Sequence, residues 1–175
     1  HDKVTPYNST DDKKEQVEEM FDNIAPKYDF LNHLLSLGID VMWRKKAIKI
    51  IGERNPKVIL DVATGTADFA VEATSLNPDR VVGIDISNEM LNVGRVKTGK
   101  KNLSHLIELI QADSENLPFA DATFDAITVG FGVRNFAHLE VGLGEILRVL
   151  KPGGQIAIIE ISQPSSFPIK QVYNI

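Results

Sequence analysis

The chain has 175 residues, of which 43% are hydrophobic and 25% are charged, with a formal net charge of -5 and no cysteine. These values predict a single soluble globular protein. The negative charge disfavours nucleic acid as a partner, because phosphate binding needs a basic surface. The absence of cysteine excludes disulfides, thiol catalysis and cysteine-ligated metals. Since no apolar run is long enough to span a bilayer and no stretch resembles a signal peptide, we expect a cytoplasmic location.

Residues 1–55 are predicted to form a helical extension, or lid, ahead of the main fold. Helical spacing of apolar residues indicates helices at Asp11–Ile24 and Asp40–Ile51, with a shorter helix through Leu31, Leu34 and Leu35 between them. We expect the third helix to expose Arg44, Lys45 and Lys46. Its predicted buried residues are Val41, Trp43, Ala47, Ile48 and Ile51.

Residues 56–175 alternate between strand and helix patterns, which predicts an α/β fold with a doubly wound, mostly parallel sheet. For the third strand, the periodicity alone does not exclude a helix. The predicted strands are Lys57–Val62, Arg80–Ile86, His105–Asp113, Thr123–Phe131 and Gln155–Ile161. The predicted helices are Thr66–Leu76, Ser87–Val96 and Leu139–Leu150, the last ending at "KPGG".

Three of the predicted strands carry an aspartate as their last or next-to-last residue, and ligands of such sheets bind beyond the strands' carboxyl ends. Asp61 precedes a glycine loop, which alone is weak support for a ligand site. Asp85 follows that loop by about 20 residues, the offset of a ribose-binding carboxylate; the alternative is a cap for the helix beginning at Ser87. Asp113, with Ser114, could read an adenine amino group or form a plain turn. Together the three acids fit a nucleoside bound across three loops, and the lack of a phosphate-binding lysine motif disfavours a nucleotide hydrolase.

The fourth strand ends in "ITVGFGVRNF", which places Arg134 beside Asn135. Taken alone, this pair is better explained by a salt bridge that closes the loop.

Three longer motifs carry a family resemblance: "YDFLNHLLSLGIDVMW" at Tyr28–Trp43, "FGVRN" at Phe131–Asn135, and "RVLKPGGQIAIIEIS" at Arg148–Ser162. With the strand-end acids, they resemble class I S-adenosylmethionine-dependent methyltransferases, and specifically the ubiquinone/menaquinone biosynthesis C-methyltransferase family. The resemblance extends from about Gln16 onward. It implies methyl transfer from S-adenosyl-L-methionine to a ring carbon of a polyprenylated quinol such as demethylmenaquinol, leaving S-adenosyl-L-homocysteine, with no metal.

The resemblance also implies site residues. The positions that match the family's cofactor contacts are Thr66, Asp85, Asp113, Ser114 and Gly130, and their neighbours Asp61, Thr64, Gly65 and Ile86 complete the candidate cofactor site. Two positions depart from the family pattern. Ala67 replaces a common glycine, which suggests a loop that tolerates a Cβ, and Asp40 stands where a histidine is expected. The family fold has two further strands, which we expect to be missing from this chain.

Carbon methylation requires electron density at the ring carbon, which an ionised quinol oxygen provides. We therefore assign phenolate stabilisation to Arg134 and orientation of the ring oxygen or a water to Asn135, as candidate catalytic residues. His33 and His138 are candidate proton acceptors, and solvated loop histidines are the alternative. Phe21 and Tyr28 are candidates to cover the cofactor or to line the isoprenoid entrance, and ordinary packing explains them equally well.

Two other functions remain open from the sequence: an O- or N-methyltransferase of other specificity, and a non-catalytic nucleoside-binding protein of the same fold. A polyprenyl substrate implies transient contact with a membrane surface, so a peripheral location is part of the expectation. A homodimer is left open.

Overall fold

The computed structural model describes residues 12–28 and 38–160. The predicted short helix through Leu31, Leu34 and Leu35 lies outside the described residues. So do His33, Ile161 at the end of the predicted fifth strand, and everything that bears on the expected missing strands.

The order of helices and strands follows the sequence prediction closely. The helices are α1 (Lys13–Ile24), α2 (Ile39–Gly52), α3 (Asp68–Ala73), α4 (Asn88–Lys100) and α5 (Leu139–Val149), with short 3-10 turns at Ala25–Lys27, Thr74–Leu76 and Val133–Asn135. The strands are β1 (Val58–Val62), β2 (Arg80–Asp85), β3 (Ile107–Gln111), β4 (Phe124–Gly130) and β5 (Leu150–Ile159). The third element is therefore a strand.

All five strands are parallel, in the order β3-β2-β1-β4-β5, which confirms the doubly wound sheet. Successive strand residues point to opposite faces. Ile59 accordingly packs in a core cluster with Ile51 of α2 and Phe69 of α3. Its neighbour Leu60 packs on the other face with Ile146 of α5. β2 and β3 are added on one side of β1, and β4 and β5 on the other. At this change of direction in the strand order, between β1 and β4, a crevice opens at the carboxyl ends of the strands.

β5 begins earlier than the sequence predicts. The "KPGG" segment ends α5 but belongs to the strand, which starts at Leu150. A register shift between Phe124 and Ala126 of β4 accommodates it, and Gly153 has φ +80°. At one end of the described sheet, β5 tolerates Pro152 because an edge strand can leave the missing N–H unpaired.

The predicted orientation of α2 was wrong at two residues. Arg44, expected outside, is 7% exposed, and Trp43, expected in the core, is 39% exposed. The Arg44 guanidinium lies 2.7 Å from Asp40 and 3.5 Å from Asp68, so its charge is compensated inside the protein. Apolar periodicity does not reveal such a pairing, because it ranks arginine as solvent-facing whatever its partners.

Candidate functional site

A cleft lies at the carboxyl ends of the strands, and α1 forms one of its walls. The cleft brings together predicted residues from four separate strand ends. These lining residues are Gly65, Asp85, Ile86, Asp113, Ser114, Gly130 and Asn135. An adjoining hollow shares Gly65 and Gly130 with the cleft and is lined by the other three predicted cofactor residues, Asp61, Thr64 and Thr66.

Asp85 is held by backbone N–H groups at the end of β2. Its Oδ2 accepts from the amide of Gly65 at 2.7 Å, and its Oδ1 accepts from the amide of Ser87 at 3.0 Å. Ser87 itself caps α4, since its Oγ accepts from the Met90 amide at 3.1 Å. A carboxylate oxygen has a second acceptor position, so Asp85 can still receive two hydroxyl groups from the cleft. The arrangement suits a diol.

Asp61 lies beneath the glycine loop and is 1% exposed. It accepts hydrogen bonds from the hydroxyls of Thr64 at 2.5 Å and Thr128 at 2.7 Å, which tie the loop to β4. Burial raises the pKa of Asp61 to about 6, despite these hydrogen bonds. Burial likewise raises the pKa of Asp85 to about 6. Both carboxylates are therefore mostly ionised at pH 7, although at a cost in solvation.

The β1–α3 loop has a strained backbone. Gly65 has φ +54°, but Ala63 and Ala67 also adopt left-handed conformations, with φ +52° and +68°. The loop therefore accommodates the Cβ of Ala67, but it holds this residue in a left-handed backbone conformation that favours glycine. Phe131, directly after β4, is left-handed as well, at φ +59°. Strained residues on both sides of the crevice shape its walls.

Asp113 is engaged by a residue that the sequence analysis did not single out. Lys14 of α1 lies 2.6 Å from Asp113 and 3.1 Å from Glu115. Glu115 also accepts from the backbone amide of His138 at 2.8 Å and lies 2.9 Å from its Nδ1. Burial raises the pKa of Glu115, but the bonds from His138 and Lys14 outweigh it, so the net direction is downward. No signal in the sequence pairs residues so far apart in the chain.

A second charged cluster that the sequence did not reveal lies beside the glycine loop. Lys97 of α4 donates to Thr66 at 2.9 Å and to Asp68 at 2.5 Å. Asp68 also faces Arg44, which pairs with the buried Asp40. Asp40 thus forms a helix-internal ion pair at the position where the resemblance led us to expect a histidine.

Arg134 and Asn135 lie on the same turn but face different surroundings. Asn135 lines the cleft. The Arg134 guanidinium lies 3.3 Å from Glu160 and its side chain is 50% exposed, so the salt bridge considered from the sequence is present in the structure. Arg134 is not among the described residues that line the cleft.

Of the remaining candidate residues, two line the cleft and one does not. Phe21 and Tyr28 line the cleft and contact each other edge to face, with ring centroids 6.0 Å apart. His138 lies outside the cleft lining, with 66% of its side chain exposed. Within residues 12–28 and 38–160, no three acidic or histidine side chains are grouped as a metal would require. In the same ranges, no helix combines the length and apolar composition needed to cross a membrane.

Comparison with known protein sequences gives consistent matches along the chain. Demethylmenaquinone methyltransferase of Bacteroides fragilis is 53% identical over 175 residues, covering 99% of this chain and 71% of the relative. The enzyme of the same name from Porphyromonas gingivalis is 49% identical over the same shares. Ubiquinone/menaquinone biosynthesis C-methyltransferase UbiE of Geotalea daltonii is 46% identical, covering 93% and 70%.

Solved structures share the fold. The [4+2]-cyclase SpnF superposes with a TM-score of 0.73 at 23% identity, covering 87% of this chain and 62% of its own. A SAM-dependent methyltransferase from Aquifex aeolicus gives a TM-score of 0.61 at 25% identity, covering 73% and 70%. The sequence profile of the ubiE/COQ5 methyltransferase family matches residues 9–175. This chain therefore belongs to the ubiE/COQ5 methyltransferase family.

Proposed function

We propose that the protein transfers a methyl group from S-adenosyl-L-methionine to a ring carbon of a demethylated polyprenyl quinol, as in menaquinone biosynthesis. Family membership and the names of the relatives at 49–53% identity support this assignment. The observation that carries it is the shared cleft, in which acids from the ends of β2 and β3 meet Asn135 from the loop after β4.

The residues present fit this cofactor. Asp85 has free acceptor positions for the two ribose hydroxyls, and Asp113 with Ser114 offers acceptors to an adenine amino group. The adjoining hollow is lined by Asp61 and Arg44, which are opposite in charge to the ammonium and carboxylate of the cofactor's amino-acid end. We assign Thr64, Gly65, Thr66, Ile86 and Gly130 to the walls around these groups.

The cofactor, when bound, supplies an electrophilic methyl group on a positively charged sulfur. The protein must align the acceptor carbon in line with that group and favour the ionised acceptor. A phenol has a pKa of about 10 in water, so a fixed cation nearby favours its phenolate. In our assignment, the Asn135 amide donates to the ring oxygen or to an oriented water, and Arg134 at the rim stabilises the negative charge. This requires the Arg134 side chain to turn from Glu160 towards the cleft.

The test is a methyl-transfer assay on the full-length protein with labelled cofactor and a demethylmenaquinol, with the methyl position in the product read by NMR. We expect a new carbon–methyl bond on the quinol ring. A methyl on oxygen or nitrogen would assign another specificity, and cofactor binding without transfer would indicate a non-catalytic protein. Failure to bind the cofactor in calorimetry would contradict the enzyme assignment altogether.

The role of Arg134 needs its own comparison. Arg134→Lys keeps the charge but loses the forked donor geometry, and we expect kcat to fall on the order of tenfold to a hundredfold. Glu160→Gln removes the salt-bridge partner and should leave kcat near the wild-type value. If the two variants lose activity equally, Arg134 acts only through its salt bridge. Arg95→Lys, on the exposed side of α4, controls for a general effect of arginine replacement.

A further inference from the structure

The loop after β4 is held from outside by two charged side chains, directly after the candidate catalytic residue Asn135. Lys13 of α1 donates to the carbonyl of Phe136 at 2.9 Å. Glu115, from the loop between β3 and β4, accepts from the backbone amide of His138 at 2.8 Å. Hydrogen bonds with one ionised partner are about twice as strong as neutral ones. The chain that follows Asn135 is therefore fixed at two points by other parts of the fold.

Both anchoring side chains are buried. Lys13 is 7% exposed, and the side chain of Glu115 is 5% exposed. Ionised groups lose hydration when they are buried, so they are kept inside a protein only where specific partners hold them. Replacement of either group leaves its partner without a charge-assisted bond. Two buried charges on one short loop therefore restrict where its backbone lies.

Lys14 connects Glu115 to the adenine subsite. Its ammonium lies 2.6 Å from Oδ2 of Asp113 and 3.1 Å from Oε2 of Glu115. The other oxygen of Asp113 accepts from the backbone amide of Glu115 at 2.9 Å. Asp113 is the residue that we assigned to the adenine amino group. Since one ammonium bridges the two carboxylates, a ligand bound to Asp113 acts on a direct partner of Glu115, and so on the loop that Glu115 holds.

A second glutamate makes the same kind of connection away from the cleft. Glu145 of α5 accepts from the backbone amide of Leu117 at 2.8 Å, and Arg148 is its cationic partner at 2.7 Å. This arrangement already attaches the β3–β4 loop to α5. Glu145 is not among the described residues that line the cleft, whereas Glu115 is. The position of Glu115 in the cleft therefore indicates a role beyond attachment of the two elements.

We propose that Glu115 is a positioning residue for methyl transfer, which holds Asn135 in the acceptor site by its bond to His138. Through Lys14, the same carboxylate links this loop to the adenine subsite. The proposal rests on the proposed function, because it takes Asn135 as a contact of the acceptor and Asp113 as a contact of adenine. A bound adenine group and an ordered loop then favour each other, since coupling between two sites is reciprocal.

Amide hydrogen exchange of the full-length, ligand-free protein tests the hold on the loop. Glu115→Gln keeps the size and loses the charge, so we expect the amide of His138 to exchange about tenfold faster while the amides of β1 stay unchanged. Glu145→Gln is the matched control, and it should speed exchange at Leu117 but not at His138. Unchanged exchange at His138 in Glu115→Gln overturns the proposal, as does an equal increase in both variants.

Steady-state kinetics separate positioning from stability. A misplaced Asn135 acts on the transition state, so kcat of Glu115→Gln should fall about tenfold, with the affinity for S-adenosyl-L-homocysteine within about twofold of wild type. Glu145→Gln should keep its kcat once the rate is divided by the folded fraction, even where its free energy of unfolding is lower. Equal kcat in the two variants on this basis overturns the positioning role.

The link through Lys14 has its own test. S-adenosyl-L-homocysteine should slow exchange at His138 in wild type and in Lys14→Arg, which keeps the cation, and should not slow it in Lys14→Met. Equal slowing in Lys14→Met overturns the link. The expected exchange changes without methylation of a quinol carbon refute only the proposed function. Quinol methylation with wild-type exchange in Glu115→Gln refutes only the role of Glu115.

Discussion

Asp85 combines two roles that usually fall to different residues. It accepts backbone hydrogen bonds from Gly65 and Ser87, which hold the loop after β1 against the start of α4. It also faces the cleft with its remaining acceptor positions. A neutral amide in its place keeps the size and offers only one acceptor oxygen.

We therefore expect Asp85→Asn to weaken cofactor binding by about 2 kcal/mol, or roughly thirtyfold, because two hydroxyls lose a charged acceptor. Isothermal titration with S-adenosyl-L-homocysteine measures this effect. Asp79→Asn, on the exposed turn before β2, makes the same chemical change away from the cleft and should bind normally. Unchanged affinity in Asp85→Asn would remove this residue from the ribose site.

At the residue scale, the sequence identified the strand-end acids because each stands at the carboxyl end of a predicted parallel strand, where ligands of such sheets bind. The offset of Asp85 from the glycine loop and the order of the strands place it in a crevice. Lys14 gave no such signal, because its partners lie far along the chain. Arg44 lies four residues after Asp40, a spacing that pairs opposite charges on a helix, but the apolar pattern placed Arg44 on the exposed side. Arg134 was located correctly on its loop, but the direction of a half-exposed side chain depends on Glu160, whose position only the folded sheet defines.

At the scale of elements, the loops after β1 and β4 fit together with no spare room. A Cβ on Gly132 would lie 2.4 Å from the Cβ of Ala63. An alanine has no side-chain rotamer to change, so this Cβ can move only if the backbone of the loop moves. The sequence predicts a turn at each place but not that the two turns touch.

Gly132→Ala should consequently destabilise the protein by about 1–3 kcal/mol, as overpacking of a rigid contact does. Chemical denaturation monitored by circular dichroism measures the change. The double variant Ala63→Gly/Gly132→Ala should recover most of the loss, because it removes the clash and also relieves the left-handed alanine. Gly144→Ala, in α5 with nothing within 4 Å of the added Cβ, should be neutral or stabilising. A loss of stability in the double variant as large as in the single one would contradict this account.

α1 is attached to the main fold by polar contacts at several points. Lys13 donates to the carbonyl of Phe136 at 2.9 Å, and Lys14 reaches Asp113 and Glu115. Near its other end, Asp22 accepts from the hydroxyl of Ser87 at 2.5 Å. Since Ser87 also caps α4, α1 and the loop after β2 share one hydroxyl group.

We expect Lys14→Ala to loosen α1 by about 1 kcal/mol, since the lysine is partly exposed and its ion pairs are partly screened. Amide hydrogen exchange should become faster in α1 and stay unchanged in β1. Glu15→Ala changes the neighbouring, exposed position on the same helix and serves as the control. Cofactor analogues should restore protection in Lys14→Ala if Asp113 contacts the bound ligand.

For the whole molecule, the raised pKa values of Asp61 and Asp85 link stability to pH. In each case burial raises the pKa from 3.8 to about 6 in the folded protein. A carboxyl group with a higher pKa in the folded state binds its proton more tightly there. Its contribution to stability therefore increases as the pH falls below about 6 and is complete below the pKa of the unfolded chain.

The cofactor-free protein should thus gain stability relative to Asp85→Asn as the pH is lowered from 7 to 4, by up to about 3 kcal/mol for a shift of this size. Chemical denaturation of both proteins across this pH range measures the difference between their free energies of unfolding. The contributions of groups that titrate alike in both proteins cancel in this difference. Cofactor affinity should change in the opposite direction, because a protonated Asp85 accepts poorly from hydroxyls. A constant stability difference between the two proteins over this range would show that Asp85 titrates normally.

The order of strands and helices followed from the sequence, because buried parallel strands and amphipathic helices have distinct periods. The inward and outward faces of α2 did not, since Arg44 is buried against Asp40 of the same helix and Asp68 of α3, and the exposure of Trp43 depends on what lies beside β5. The placement of whole elements was thus more predictable than the placement of individual charges.

Phe131 shows what such a site demands of its own backbone. A phenylalanine at φ +59° adopts a conformation that glycine would adopt without penalty, and about 1–2 kcal/mol of stability is given up to keep the ring there. Phe131 is only 9% exposed, so the burial of its ring outweighs this strain. Phe131→Gly should therefore lower stability, and it should also lower turnover, since the ring forms the wall between Trp43 and the cleft. The packing of the ring thus compensates for a backbone conformation that phenylalanine would otherwise avoid.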